Sequence, residues 1–287
     1  MKYREYDDET LKHLQNVLLM ILNDVKTVCD NHNINYYIYA GSGIGVARHK
    51  GFIPWDDDVD IIMFRKDFNR FSEIFNREFG DKYSLRTPEN TEDYFLSFPK
   101  VILNGTKYEV WWSKQVSFET GIYLDIFILD NVPSNKLKRL LFTNKCYYTR
   151  LLKDISFLKK HNSSKMKQMI MDFINMFLKI FRLDYLKLKN KCSKNYIKYL
   201  HEECEYVADL DGNGHFKPHV FLRSDFEPAG KLEFEELEVK IPNNLDGILT
   251  QIYGDYMTMP HVEKRTLIIF IELTKGKPEK RPETRVQ

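Results

Sequence analysis

The sequence predicts a mixed α/β (α+β) chain, a sheet core interrupted by a helical insert. Three observations predict it. Apolar residues recur at three- and four-residue spacing over residues 8–30 and 66–79, the period of a helix with one buried face. Short apolar runs bounded by Gly, Asn and Pro lie between and after them, as strands do. Charge is segregated: residues 134–200 hold 17 Lys/Arg against 3 Asp/Glu, a net of +14, so in a chain of net +2 the remainder carries −12. With 287 residues, 43% of them hydrophobic, the chain can bury a core for one large or two modest domains. The expected division is a core over 1–133 and a basic helical insert over 134–202. A C-terminal part over 203–274 completes the core, and 275–287 (KGKPEKRPETRVQ from Lys275 by composition) is expected to be a disordered tail.

In order, Leu11, Leu14, Leu18, Ile21, Val25 and Val28 predict a first helix that ends at Asn31–Asn33. Tyr36–Ala40 predicts a short strand. Gly41-Ser42-Gly43-Ile44-Gly45 predicts a glycine-rich turn, followed by a short segment to Arg48. Val59–Phe64 predicts a strand, and Phe68, Phe71, Ile74 and Phe75 place one face of a helix over Lys66–Phe79. Tyr94–Leu103 and Lys107–Val110 predict a hairpin around Asn104-Gly105, a strong local turn signal. Ile122–Leu129 predicts a strand interrupted by the charge of Asp125. The insert reads as two or three helices, and a last helix, Leu245–Tyr253, stops at Gly254. No internal repeat is present.

Several classes are disfavoured. Cys29, Cys146, Cys192 and Cys204 form no CxxC pair, which argues against a structural zinc site, and at this size reduced thiols of a cytosolic protein are the simpler expectation than a disulfide framework. The run from Val17 to Leu22 is too short for a signal segment. No uncharged apolar stretch approaches the ~20 residues that span a bilayer. The expected location is the cytoplasm, with the inner face of the plasma membrane as a peripheral site. No nucleic-acid motif accompanies the basic segment, so nucleic acid is not an expected partner.

The densest chemical signal is Trp55-Asp56-Asp57-Asp58-Val59-Asp60, four carboxylates in five positions. In an extended strand Asp56, Asp58 and Asp60 share a face. Carboxylates on one face repel unless a cation sits among them, and oxygen ligands of this kind suit a hard divalent ion. Asp125, inside Tyr123-Leu124-Asp125-Ile126-Phe127, is a lone carboxylate in an apolar strand and needs a partner or a metal. Strand pairing can bring it beside Asp58 and Asp60. The Gly41-Ser42 turn adds a place where backbone approaches a ligand closely and a helix start that favours phosphate. A glycine-serine turn, Asp-x-Asp and a later strand Asp together resemble the pattern of nucleotidyltransferase-fold enzymes.

The resemblance becomes specific over residues 39–61, YAGSGIGVARHKGFIPWDDDVDI, which is similar to the signature of the LicD family, a group of bacterial phosphocholine transferases related to fukutin-type ribitol-phosphate transferases. Leu124-Asp125-Ile126-Phe127 resembles the family's second acidic strand. Ile252–Pro260 followed by Lys264-Arg265 is a third match, so the resemblance runs from about Tyr36 to Arg265. The family's usual Gly-Thr-Leu-Leu-Gly stands here as Gly41-Ser42-Gly43-Ile44-Gly45, with hydroxyl and glycine spacing kept.

The resemblance implies transfer, dependent on Mg2+ (or Mn2+), of phosphocholine from CDP-choline to a hydroxyl of a cell-surface glycan or teichoic acid precursor. Asp58 and Asp60 would hold one or two ions, and Asp125 would share a metal and accept the proton of the attacking hydroxyl. Gly41, Ser42, Arg48, His49 and Lys100 are candidate contacts to the donor. Transfer of another phospho-alcohol such as ribitol phosphate, nucleotidyl transfer to a small molecule, and a non-enzymatic metal- or glycan-binding module are the alternatives.

Blander readings stand beside these. Asp56 and Asp57 fit either a solvated turn or support for the metal. A structural calcium loop lacks its Asp-x-Asp-x-Asp-Gly turn and distal Glu here, and the Gly41-Ser42 turn argues against a glycosyltransferase Asp-x-Asp. Arg48 suits a helix cap as well as a phosphate, and His49 and His261 suit structural or surface roles. Trp55 is expected to pack under the acidic loop. Trp111, Trp112, Tyr94 and Tyr123 suit an aromatic cage for a quaternary ammonium or ordinary core packing. In the insert, Met169, Ile170, Phe173, Ile174, Phe177, Leu178 and Phe181 form an apolar stripe among lysines. Two readings of it are open: docking on an anionic membrane surface, or packing against the core.

Overall fold

The first helix begins where its sequence can stop the backbone donors from going unpaired. Asp7 caps α1 (Asp8–Asn31), its Oδ1 accepting from the Thr10 N–H at 2.7 Å, with Asp8 and Glu9 in the positive first turn. The computed structural model describes residues 7–109, 116–118, 120–157, 165–211, 219–261 and 272–274. Along α1 the predicted stripe is the buried one: Leu14, Leu18, Ile21, Val25 and Val28 are all 1% exposed or less. It packs on α3 (Arg65–Phe79) through Phe71 and Phe75, which stack at 4.9 Å. Burial of each such side chain contributes roughly 1.5–3 kcal/mol.

These helices cover one face of a seven-stranded sheet built from β1 (Tyr37–Ile38), β2 (Asp60–Phe64), β3 (Tyr83–Arg86), β4 (Lys100–Leu103), β6 (Tyr123–Val132), β7 (Tyr206–Asp209) and β8 (Val220–Leu222). The order is β1-β2-β6-β4-β3, with β7 on β6 and β8 on β7. β2 and β6 are parallel, and the ten-residue β6 carries β4 beside its start and β7 beside its end. Alternation sorts the side chains. Ile61, Met63, Leu124, Ile126 and Ile128 join the core with α1 and α3. Ile62, Phe64 and Leu129 turn to the other face, against Tyr37, Phe226 and Ile248 of α7 (Leu245–Tyr253). The hairpin β9 (Gly230–Phe234) and β10 (Leu237–Ile241) packs beside β1.

Four local expectations are corrected. Gly41–Gly45 is not a turn: α2 (Ala40–Ile44) runs into a π-helical segment, Gly45–His49. Its glycines serve close packing. A Cβ on Gly45 would lie 2.4 Å from the Gly51 carbonyl oxygen, and one on Gly43 would lie 3.1 Å from Leu249 of α7. Tertiary contact thus overrides the poor helix propensity of glycine. The Asn104-Gly105 turn forms, with Gly105 at φ +74°, but no hairpin ladder follows it among the described residues. The Leu103 and Tyr108 N–H groups donate instead to Ile122 and Thr120, and β5 (Lys107–Glu109) pairs with β11 (Glu272–Thr274). The strand expected from Tyr94 begins only at Lys100, because Pro99 has no donor and Tyr94 closes a turn onto Thr91. The acidic run is also not a strand until Asp60. β3 was not foreseen, its Tyr-Ser-Leu-Arg alternation being only four residues long.

The insert forms α4 (Lys136–Phe157), α5 (Lys165–Ile180) and α6 (Tyr185–Tyr196). α4 and α6 close a small core of their own with β6 and β7, through Phe142, Cys146, Cys192, Val132 and Ala208. All four cysteines are buried and free. No helix among the described residues is long and apolar enough to cross a membrane. Lys264, Arg265, Trp111, Trp112 and the expected tail lie outside the described residues.

Candidate active site

Register assembles the centre of the site. Asp60 of β2 pairs with Asp125 of β6, and Asp125 pairs with Lys100 of β4. Residues paired in register point to one face, so three charged side chains stand in a row across adjacent strands, ~5 Å apart by strand spacing. By alternation that face is the one shared with Ile62 and Leu129, toward α2 and α7. The Lys100 ammonium is bonded to Asp125 Oδ1, and both residues are buried. The same ammonium lies 3.4 Å from the centre of the Tyr123 ring. Tyr123 therefore holds Lys100, and the Tyr94 hydroxyl donates to the Phe98 carbonyl at 2.8 Å.

The acidic loop is pinned beside this row from several directions. Ser42, 1% exposed, accepts the Asp60 N–H on Oγ at 3.0 Å. The Gln15 side-chain amide on α1 donates to the Asp56 carbonyl at 3.0 Å. Asp57 is buried and its Oδ2 accepts from the Tyr108 hydroxyl at 3.2 Å. Asp58 remains partly exposed, and Trp55 is half-buried at the head of the run. Gly41 lies against Asp56, where an added Cβ would stand 3.6 Å from Oδ2. That oxygen is buried with no hydrogen-bond partner. An orphaned carboxylate oxygen in a buried acidic loop marks a place where a cation or a donor is wanted.

The electrostatics tell the same story. Burial pushes Asp60 well above the usual carboxylate range, and Asp58, Asp125 and Asp56 push it further, against Lys100. Asp56 is raised by burial and then by Asp58 and Asp57. Asp58 is raised by burial and held back by Lys100. Asp125 is raised by burial to about 6, with Lys100 opposing. Burial lowers Lys100, against the pull of Asp125. Among the described residues one lysine faces four carboxylates, so this part of the site is short of positive charge. Among the described residues, no three His, Cys, Asp or Glu side chains form a ready-made metal set. Asp58, Asp60 and Asp56 supply oxygen donors of the kind a hard divalent ion takes, but their carboxylates are not gathered into one coordination set.

Arg48, in the π-helical segment, donates from Nη1 to the Tyr256 carbonyl at 2.7 Å and from Nε to His49 at 3.0 Å. It thereby ties the glycine-rich helix to the segment after α7. Burial and then Arg48 lower the His49 pKa. His261 is exposed. Gln15, Tyr108 and Tyr253 were missed. The Tyr253 hydroxyl is raised by burial and then by Asp60, Asp58 and Asp56, which places it toward the carboxylates. Gln15 had a signal, a polar residue on the buried face of an amphipathic helix; Tyr108 and Tyr253 had none, since each reaches the site only through tertiary packing.

Comparison with known proteins follows the same residues. The model of the LicD/FKTN/FKRP nucleotidyltransferase domain matches residues 33–150, from β1 through the acidic loop and β6 into α4. The lipopolysaccharide cholinephosphotransferase LicD of Haemophilus influenzae is 28% identical over 260 residues, 88% of this chain and 94% of that protein. Uncharacterized proteins of Rickettsia typhi and Rickettsia prowazekii are 37% and 38% identical over 57 residues, a fifth of this chain.

Proposed function

Since the chain belongs to the LicD family, we propose that it transfers phosphocholine from CDP-choline to a hydroxyl of a cell-surface glycan precursor. The single observation that carries this reading is the row Asp60–Asp125–Lys100 beside the orphaned Asp56 oxygen. It sets Asp60 and a candidate proton acceptor on one face, with acidic oxygens of the preceding loop close enough to act on Asp60, charge that a cation would neutralise. The Haemophilus protein, named for lipopolysaccharide and cholinephosphate, supports a glycan acceptor and choline as the alcohol.

Asp58 and Asp60 would hold Mg2+, with Asp56 supporting them. The ion, when bound, supplies charge neutralisation to the donor diphosphate. The chain's own groups do the remaining work. Asp125, with a pKa near 6, is ionised at neutral pH yet basic enough to take the proton of the acceptor hydroxyl. Lys100 fixes the orientation of that carboxylate. The hydroxyl oxygen forms a bond to the phosphorus that bears choline, the bond from that phosphorus to the bridging oxygen breaks, and CMP leaves. Ser42 holds the backbone of Asp60 so that its carboxylate stays in the row. Arg48 fixes the wall formed by the π-helical segment and the residues after α7.

Incubation with Mg2+, a glycan acceptor and a panel of CDP-alcohols tests the reading. CMP release with CDP-choline, lost in Asp125→Asn, is the expected result. Preference for CDP-ribitol would change the alcohol. Pyrophosphate release from a nucleoside triphosphate would replace transfer of a phospho-alcohol by nucleotidyl transfer, and no turnover with any donor would leave a binding module.

A further inference from the structure

Beyond the transfer reaction, and independent of it, we infer that the outward face of α5 docks the protein on an anionic lipid surface. On α5, Met169, Ile170, Phe173 and Phe177, with Phe181 just beyond its end, are between 43 and 68% exposed. At about 100° per residue these positions form one continuous stripe. The opposite side of the helix is the one that packs: Leu178 is buried, and Asn175 donates to the Ile155 carbonyl of α4 at 3.4 Å. Packing of the stripe against the core, the other expectation from sequence, accounts only for Leu178 and the half-buried Ile174. A row of phenylalanines and methionines facing water is a patch that needs an occupant.

Charge identifies the occupant. Lys179 near the end of α5 and Arg182 just past it are exposed, and Lys187, Lys191, Lys194 and Lys198 follow on α6 and its continuation, all exposed. Residues 134–200 carry +14. A second copy meeting it through the same face would bring +14 against +14, whereas an anionic headgroup layer attracts the lysines while its acyl boundary takes the rings. α5 is amphipathic, followed by cations and fixed on a folded body by its other face, the arrangement of a helix that lies in an interface and does not cross it.

The test is co-sedimentation of the full chain with vesicles of neutral phosphatidylcholine and of phosphatidylcholine mixed with phosphatidylglycerol. Binding to the anionic vesicles is expected to be at least about tenfold stronger and to weaken as salt rises. Phe173→Glu with Phe177→Glu should abolish it while leaving the circular dichroism spectrum and melting temperature unchanged, since both positions face water. Lys187→Glu with Lys191→Glu should weaken it and leave the apolar stripe intact. Equal binding to both vesicle types, no binding, or binding unmoved by these substitutions would overturn the inference. So would a concentration-dependent dimer in sedimentation velocity that the Phe173/Phe177 double variant dissociates, since the face would then be occupied by a second copy. None of these readouts involves turnover, so they stand or fall apart from the proposed reaction.

Discussion

Lys100 is bonded to Asp125 across the register of β4 and β6, a buried ion pair set in the middle of the acidic face. Removing the ammonium leaves a buried carboxylate with Asp58 and Asp60 near it. Lys100→Met should therefore cost about 3–5 kcal/mol in denaturant unfolding. It should also raise Asp125 above its present value of about 6. A base works only when deprotonated, so the rising limb of kcat/KM should move to higher pH. An unchanged limb would separate Asp125 from proton transfer.

On the proposed metal role, Asp58→Asn and Asp60→Asn should each lower turnover by roughly a hundredfold or more. Stability should respond in the opposite sense. The folded pKa of Asp60 is raised, so the native state holds its proton longer than the unfolded chain. That contribution is present at low pH and is lost as pH rises through the folded pKa. Without divalent cations, Asp60→Asn should thus be more stable than the parent at pH 8 and similar to it near pH 4. Guanidinium titrations in chelator at the two pH values measure this.

If Asp58 and Asp60 hold Mg2+ as proposed, the ion should stabilise the protein more at pH 8 than at pH 5.5, because carboxylates bind it only when ionised and the pKa values of these two are raised. The expected observation is a melting temperature that climbs with Mg2+ at pH 8, returns with chelator, and does not move in Asp60→Asn. A shift of equal size at both pH values would point to a site elsewhere.

A second buried pair serves as the control. Arg65 donates from Nε and Nη2 to Asp130 at 2.8 and 2.7 Å, toward the end of β6 away from Asp125. The two carboxylates are five positions apart along the strand, about 16 Å at ~3.3 Å per residue. Asp130→Asn should lower unfolding free energy by about 3 kcal/mol or more. The kcat of the folded enzyme should stay within about twofold, because no acidic-loop contact passes through the pair. Turnover and unfolding measured on the same preparation decide it.

Much of the fold was legible because it rests on local pattern. The period of α1 and α3, the start of β2 at the acidic run, and the stop of α7 at Gly254 are each fixed by residues a few positions apart. The glycine-rich segment was misread because glycine in sequence signals a turn, whereas Gly43 and Gly45 are there to let Leu249 and Gly51 approach. The Asn104-Gly105 turn was legible, and the partner of β5 was not, because β11 lies more than 160 residues away.

The sequence alone determined the chemistry of the site: four aspartates in the run and one in a distant apolar strand, which must be neutralised because like charges cannot be buried unpaired. Only the tertiary structure decided which of them meet. Parallel pairing of β2 with β6 in a single register put Asp60 beside Asp125, and antiparallel β4 delivered Lys100 to the same row. A shift of one residue would have turned Asp125 to the opposite face, because side chains alternate along a strand. The sequence likewise supplied the apolar stripe of α5 but not its orientation. That was decided by Leu178 and Asn175, which turn the other side of the helix toward the body and leave the phenylalanines in water.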